Sequence, residues 1–248
     1  MSKRTEGNVY TVLFAVGMVV IVGALLAFLA SFFKPTINEN KRVEKQQNIL
    51  YAMGVNENGE SDVKFVSKNV VGETFDKYIT KQLVIQGESV SEDENAYLID
   101  IKKEQTLAKE GKDRRFPLFV GEKDEKKYYI VPIRGKGLWD AIWGYVGMDE
   151  NMVVQGAYFD HKGETAGLGA NIKLRFFMDD FIGEHLKKNG SFVGIKVSKS
   201  NNDPTNEDKM DNEVDAIAGA TITGDGVSSM IKVELKNYVP YFENLKTN

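Results

Sequence analysis

From residue 9 to residue 33 the chain carries no charged side chain, and the charges that bracket the run are Glu6 and Lys34. A helix needs roughly 20 apolar residues to cross the hydrocarbon core of a bilayer, so this run predicts a transmembrane helix. A helix buried in a soluble core would carry a polar stripe, and a cleavable signal peptide would have a shorter apolar region ending in an A-x-A-like site. The small residues Ala27, Ala30 and Ser31 keep signal cleavage open as the alternative. Lys3 and Arg4 precede the run, and by the positive-inside rule they put the N-terminus in the cytoplasm and the rest of the chain outside it. Lys34, Lys41, Arg42 and Lys45 follow the run, interleaved with Glu39 and Glu44, and reduce that asymmetry.

The remainder of the 248 residues is enough for one substantial domain. The predicted layout is a cytoplasmic N-terminus at 1–8, a transmembrane helix at 9–33, a stalk helix and linker at 34–58, and an extracytoplasmic domain at 59–248. After Pro35, Thr36 and Glu39 have capping-box spacing, which predicts a fresh helix running to about Ala52 with Gly54 as its stop.

Composition narrows the chemistry. There are 32 basic and 36 acidic residues, a formal charge of −4, so no broad basic surface is available to wrap nucleic acid. With no cysteine the chain can hold neither a disulfide nor a thiolate-ligated iron–sulfur cluster, and any redox chemistry needs a borrowed cofactor. The two histidines, His161 and His185, lie in no short metal-ligand pattern, so no metal site is expected.

Beyond residue 59, short β-rich runs alternate with glycine turns and two helical stretches, which predicts an α+β domain. Strands are expected at 127–133, 142–148 and 153–159, forming a meander, and at 192–197. A helix is expected between Leu174 and Leu186 with Phe177, Phe181 and Ile182 on one face. A last helix carries Val227, Met230, Ile231, Leu235 and Tyr238. These two helices would cover a mixed or antiparallel sheet. The polar stretch 198–213, with Asn201, Asn202, Asp203 and Pro204, reads as a surface loop.

Chemistry concentrates in three glycine-bearing clusters: Arg134-Gly-Lys-Gly-Leu-Trp139, Glu164-Thr-Ala-Gly-Leu-Gly169 and Ala218-Gly-Ala-Thr-Ile-Thr223. Glycine lets main chain approach a ligand closely and leaves N–H groups free for phosphate or carbonyl oxygens. None has the spacing of a dinucleotide or triphosphate loop. The third cluster directly precedes the last amphipathic helix, so Thr223 falls near a helix N-terminus. There the dipole and the free N–H groups stabilise a phosphate. Local physics leaves two readings open, a hydroxyl esterified by phosphate or Thr221 or Thr223 serving as an ordinary N-cap.

Read in order, Tyr129-Ile-Val-Pro-Ile-Arg-Gly-Lys-Gly-Leu-Trp139, His161-Lys-Gly-Glu-Thr-Ala-Gly-Leu-Gly169 and Asp215-Ala-Ile-Ala-Gly-Ala-Thr-Ile-Thr223 carry a resemblance over nearly the whole chain. They resemble the hallmarks of the single-anchor, FMN-carrying subunit of the bacterial sodium-translocating NADH:quinone oxidoreductase. The chain departs from that pattern at Ala218, where serine, threonine or aspartate is usual, and at Ala166, where proline is usual. Neither departure touches the acceptor hydroxyl. The resemblance implies a covalent FMN-binding domain, with FMN joined through its phosphate to Thr223 by a separate flavin transferase. It implies cofactor contacts at Thr221, Ile222, Gly219 and Ala220, at Glu164, Thr165, Gly167, Leu168 and Gly169, and at Trp139. His161 is not expected to act as a proton donor. The other membrane and NADH-binding subunits of the respiratory complex would be the partners, at the inner membrane with the soluble domain on the periplasmic side. This chain would relay electrons without a complete activity of its own. Two alternatives stand beside this one. One is the related flavin subunit of the ferredoxin-dependent electron transport complex, against which the Gly-Lys-Gly-Leu-Trp stretch argues. The other is a non-enzymatic anchored adhesin or pilin-like protein.

Overall fold

The computed structural model describes residues 8–59, 62–200, 203 and 205–246. Lys3 and Arg4, on which the orientation rests, and Asn201, Asn202 and Pro204 of the expected surface loop lie outside the described residues.

The chain divides into two units, Met1–Arg42 and Val43–Asn248. Helix α1, Asn8–Ala52, begins in the first, and its apolar part is long enough to cross a membrane. Pro35 lies inside it, so the capping spacing at Thr36 and Glu39 starts no new helix. Membrane-type helices accept an interior proline because the carbonyl it leaves unpaired finds other partners. Glu39 instead bonds Arg42, one turn on, with Arg42 Nε donating to Oε2 at 2.9 Å.

The second unit takes in the last turns of α1, where Ile49, Leu50, Tyr51 and Ala52 are buried. The turn that ends the helix has Gly54 at a φ of +74°, as its stop position requires. Next come α2 (Val71–Tyr78), β1 (Ile79–Gln86), β2 (Ser89–Glu92) and α3 (Ile101–Lys109). After them run β3 (Phe116–Lys123), β4 (Lys126–Lys136), β5 (Ala141–Met148) and β6 (Val154–His161). These six strands form one sheet in the order β2-β1-β3-β4-β5-β6, and every pairing is antiparallel. The sheet is therefore antiparallel throughout, and the expected meander is its β4-β5-β6 half.

Two elements differ from the sequence reading. The helix expected to reach Leu186 is α4, Arg175–Asp180. It stops because Gly183 takes a φ of +89° and its N–H turns back to the carbonyl of Val154 at 2.8 Å. Phe177 and Phe181 are buried with Phe159, but Ile182 is exposed. The strand expected at 192–197 is two fragments. Ser191–Phe192 (β8) pairs with Lys187–Lys188 (β7), and Lys196–Val197 (β9) pairs in parallel with Glu213–Val214 (β10). Gly194, at a φ of +80°, breaks the run between them.

Helix α5, Thr221–Leu235, is followed by a 3₁₀ turn and by α6, Val239–Leu245. Its Val227, Met230, Ile231 and Leu235, with Tyr238 beyond, are buried as their spacing predicts. Helix α5 lies against the end of β4 so closely that a Cβ added at Gly226 would come within 2.4 Å of the Lys136 carbonyl oxygen. That contact fixes the start of α5 over the turn between β4 and β5.

Candidate flavin site

Sheet register brings the three clusters together. Lys136 pairs with Ala141 across the β4–β5 turn, and Ile142 pairs with His161 at the end of β6. The turn at 137–140 and the loop that follows His161 therefore emerge side by side at one end of the sheet. The first turn of α5 packs there as well. Residues from sequence-distant motifs meet because antiparallel pairing returns alternate strand ends to the same edge.

At their junction lies a cleft of about 250 Å³, lined by Leu138, Glu164, Thr165, Leu168, Gly169, Gly219, Ala220, Thr221, Ile222 and Thr223. Thr223 is 1% exposed, and its Oγ1 donates to Oε2 of Glu164 at 2.6 Å. The other carboxylate oxygen, Oε1, accepts from the backbone N–H of Trp139 at 2.9 Å and of Asp140 at 3.4 Å. Burial works to raise the pKa of Glu164, but the Thr223 hydroxyl and the N–H groups of Trp139, Asp140 and Leu138 outweigh it, and the group lies below the ordinary carboxylate value. Glu164 is thus a buried, ionised carboxylate whose bonds are all donated to its charged form.

Glycine makes room for this arrangement. A Cβ at Gly169 would lie 2.5 Å from Thr223 Oγ1 and 2.6 Å from Glu164 Oε2, and one at Gly137 would lie 2.6 Å from Glu164 Oε1. Both are closer than van der Waals contact allows, so these positions have room only for a hydrogen.

Ala220 is the N-cap of α5 and no side chain caps the helix. Neither Thr221 nor Thr223 is a cap, which removes that reading of the last cluster. The N–H groups of Thr221, Ile222 and Thr223, in the first turn, have no acceptor within the helix. They make the base of the cleft a place for an anion, and the helix dipole acts in the same direction.

The remaining expected residues divide. Thr165 is exposed, and its Oγ1 accepts from Trp139 Nε1 at 3.2 Å. Gly219 turns the chain at a φ of +71° beneath Leu168. Trp139 and Gly167 do not line the cleft. Trp139 stands beside it with its ring 67% exposed, and Gly167 shapes the loop at a φ of +76°. Leu138, Trp139, Leu168 and Ile222 are all exposed, so apolar side chains surround the cleft mouth where a flat ring could rest.

Three residues outside the expected set also belong to the site. Leu138 lines the cleft, Gly137 lies against the carboxylate, and His161 Nδ1 accepts the backbone N–H of Glu164 at 3.1 Å. Gly137 and Leu138 fall inside the first glycine cluster, which was the available signal. Nothing in the sequence marked the His161 bond. A larger groove of about 490 Å³, bordered by Lys188, Lys196 and Lys232, contains none of the motif residues.

A cleft below the usual 300–1,000 Å³ range for ligand pockets, ending in free N–H groups and a buried hydroxyl and rimmed by exposed apolar side chains, suits a ligand with a phosphate tail and a flat head. The chain carries an FMN-binding domain, for residues 137–236 match the family of that description. The chain is 28% identical over 257 residues to the Na(+)-translocating NADH-quinone reductase component NqrC of Haemophilus ducreyi, covering 99% of this chain and 98% of that one. The crystal structure of the same component from Parabacteroides distasonis is similar with a TM-score of 0.71 at 29% identity, over 84% of this chain and 96% of that chain. NqrC of Shewanella oneidensis is similar with a TM-score of 0.63 at 26% identity, over 84% and 99% of the two chains. The chain belongs to the NqrC family of the Na(+)-translocating NADH-quinone reductases.

Proposed function

We propose that this chain is the electron-carrying flavin subunit of a Na+-translocating NADH:quinone oxidoreductase, with FMN joined by a phosphoester to Thr223. The observation that carries the reading is the Thr223 hydroxyl at the base of the cleft, bonded to Glu164 and set in the first turn of α5. Bound FMN supplies the ability to take up and pass on single electrons.

The residues of this chain hold and orient the cofactor. Thr223 Oγ1 is the anchoring atom, and the N–H groups of Thr221, Ile222 and Thr223 are available to the phosphate oxygens. Gly169 and Gly219 keep the backbone close to the tail. Trp139, Leu138, Leu168 and Ile222 offer apolar surface to the ring at the mouth. Since the cleft is small, the ring lies toward the surface, where a redox partner can approach. A covalent tether makes retention independent of affinity on a side of the membrane with no flavin pool.

The helix Asn8–Ala52 anchors the chain in the membrane through residues 9–33, which contain no ionisable side chain other than Tyr10. Lys3 and Arg4 orient it with the domain in the periplasm. The other subunits supply the NADH site, the quinone site and the ion path, and a flavin transferase performs the attachment. Purification from native membranes tests the reading. The chain is expected to co-purify with an NADH-oxidising, quinone-reducing assembly and to keep its flavin after denaturation. A chain that co-purifies with a ferredoxin-linked iron–sulfur protein, or that carries no flavin, would contradict it.

A further inference from the structure

We propose that Glu164 is the base that takes the hydroxyl hydrogen of Thr223 when the flavin is attached, and that it afterwards keeps that hydrogen and donates it to the phosphodiester. The inference rests on the reading of Thr223 as the flavin acceptor and assigns this chain a catalytic part in its own modification.

A threonine hydroxyl is a weak nucleophile until an adjacent base removes its hydrogen. Glu164 Oε2 already accepts that hydrogen at 2.6 Å, within the reach required of a general base. Among the described residues no other titratable side chain bonds Thr223 Oγ1. Oε1 is held by the N–H groups of Trp139 and Asp140, so the carboxylate cannot swing away, and Gly137 and Gly169 leave no space for another side chain beside it. The group is ionised at neutral pH, as a base must be.

The atoms balance with a flavin dinucleotide as donor. Thr223 Oγ1 forms a bond to the phosphorus next to the flavin, and the phosphoanhydride bond to the second phosphorus breaks. The hydroxyl hydrogen passes to Glu164 Oε2, and the nucleoside monophosphate departs. No centre changes oxidation state.

Attachment then reverses the electrostatics of the carboxyl group. Before it, Thr223 donates to a carboxylate. After it, Oγ1 has no hydrogen and belongs to an anionic phosphodiester. An ionised Glu164 at that distance would meet a like charge in a buried place. With the hydrogen retained, the same contact becomes a donated bond to an anion, which is among the stronger kinds. The charged and titratable groups packed around it are His161, whose Nδ1 holds the Glu164 N–H, and Asp140, which pairs with Lys162 at 2.9 Å.

The test uses the full-length chain in detergent, made without flavin, in three forms: wild type, Glu164→Gln and Thr223→Ala. Each is incubated with the flavin transferase and FAD, and incorporation is followed by intact mass. Glutamine keeps an oxygen to accept the Thr223 bond but cannot take the hydrogen. Incorporation into Glu164→Gln is expected to slow by about 100-fold or more, with an unfolding midpoint close to that of wild type. Incorporation at the wild-type rate would overturn the inference and leave the acceptor reading standing. An unlabelled wild type, or a Thr223→Ala chain labelled as wild type is, would overturn both. A second measurement on wild type alone covers a variant that misfolds. Difference infrared spectra at pH 7 should show one protonated carboxyl in the loaded protein that the unloaded protein lacks. Its absence would overturn the assignment.

Discussion

Thr223 and Glu164 stand 59 positions apart in sequence, and the hydroxyl of one rests on the carboxylate of the other at 2.6 Å. Each belongs to a different glycine cluster, and a third cluster supplies the N–H groups that hold the carboxylate in place. The site is therefore one bonded unit assembled from two strand ends and one helix start. A change at any of the three should reach the other two.

Gly169 tests that coupling without altering a polar group. Alanine there would put a methyl carbon within 2.6 Å of both Thr223 Oγ1 and Glu164 Oε2. The strain is worth about 1–3 kcal/mol of stability, and it separates the pair. Flavin incorporation into Gly169→Ala, followed by intact mass, is expected to fall about tenfold or more. Unchanged incorporation would mean that the pair does not govern attachment.

Trp139 should behave in the opposite way. Its ring is 67% exposed, and its bond to Glu164 comes from the backbone, which alanine retains. Trp139→Ala is expected to change stability by no more than about 0.5 kcal/mol and to load flavin normally. The absorption spectrum and midpoint potential of the bound flavin should nevertheless shift, because an apolar neighbour of the ring is gone. A spectrum identical to wild type would remove Trp139 from the ring's surroundings.

Glu184 predicts a pH dependence of stability that does not involve the site. It is fully buried, and burial pushes its carboxyl up to about 7 from 4.5, with Asp211 and Asp180 adding to the shift and Asn206 and Lys209 opposing it. Because the folded state binds this proton more tightly than the unfolded chain does, stability falls as pH rises from about 4.5 and the loss is complete above about 7. Glu184→Gln keeps the bond from Asn206 and removes the titration. At pH 8 it should be more stable than wild type by up to about 3 kcal/mol, and the advantage should vanish near pH 4, as read by thermal unfolding.

Where α1 ends, its last residue crosses the sheet over glycine. A Cβ at Gly147 would lie 2.2 Å from the Ala52 carbonyl oxygen, a backbone atom that cannot step aside. Gly147→Ala is expected to destabilise the domain by about 3 kcal/mol, measured by urea unfolding in detergent. A loss well under 1 kcal/mol would mean that the helix end is not seated there.

Much of this was legible in the sequence, and what was missed has local causes. Strands β4 to β6 and the buried face of α5 could be read because their patterns are regular. Strand β1 could not, since its pairing with β3 shifts between Ile79 and Lys81 and breaks the alternation. Strand β3 carries Pro117, which argues against a central strand, yet Pro117 pairs only with Val84 and precedes the first pairing with β4. The runs at 174–186 and 192–197 were over-extended because Gly183 and Gly194 adopt positive φ, and only tertiary hydrogen bonds reveal that. Of the residues that line the cleft, all but Leu138 were expected. The part no pattern could supply was which atom bonds which, because that depends on the register joining Ile142 to His161.

The most direct test of the account is the mass of the peptide that contains Thr223, from protein purified out of its native membranes, with Thr223→Ala as the control. The account predicts a peptide heavier by one esterified FMN in wild type, fragmenting at Thr223 with Thr221 unmodified, and no flavin of any kind surviving denaturation in the variant. Flavin that stays attached in Thr223→Ala, or a wild-type peptide without the added mass where the transferase is active, would contradict it.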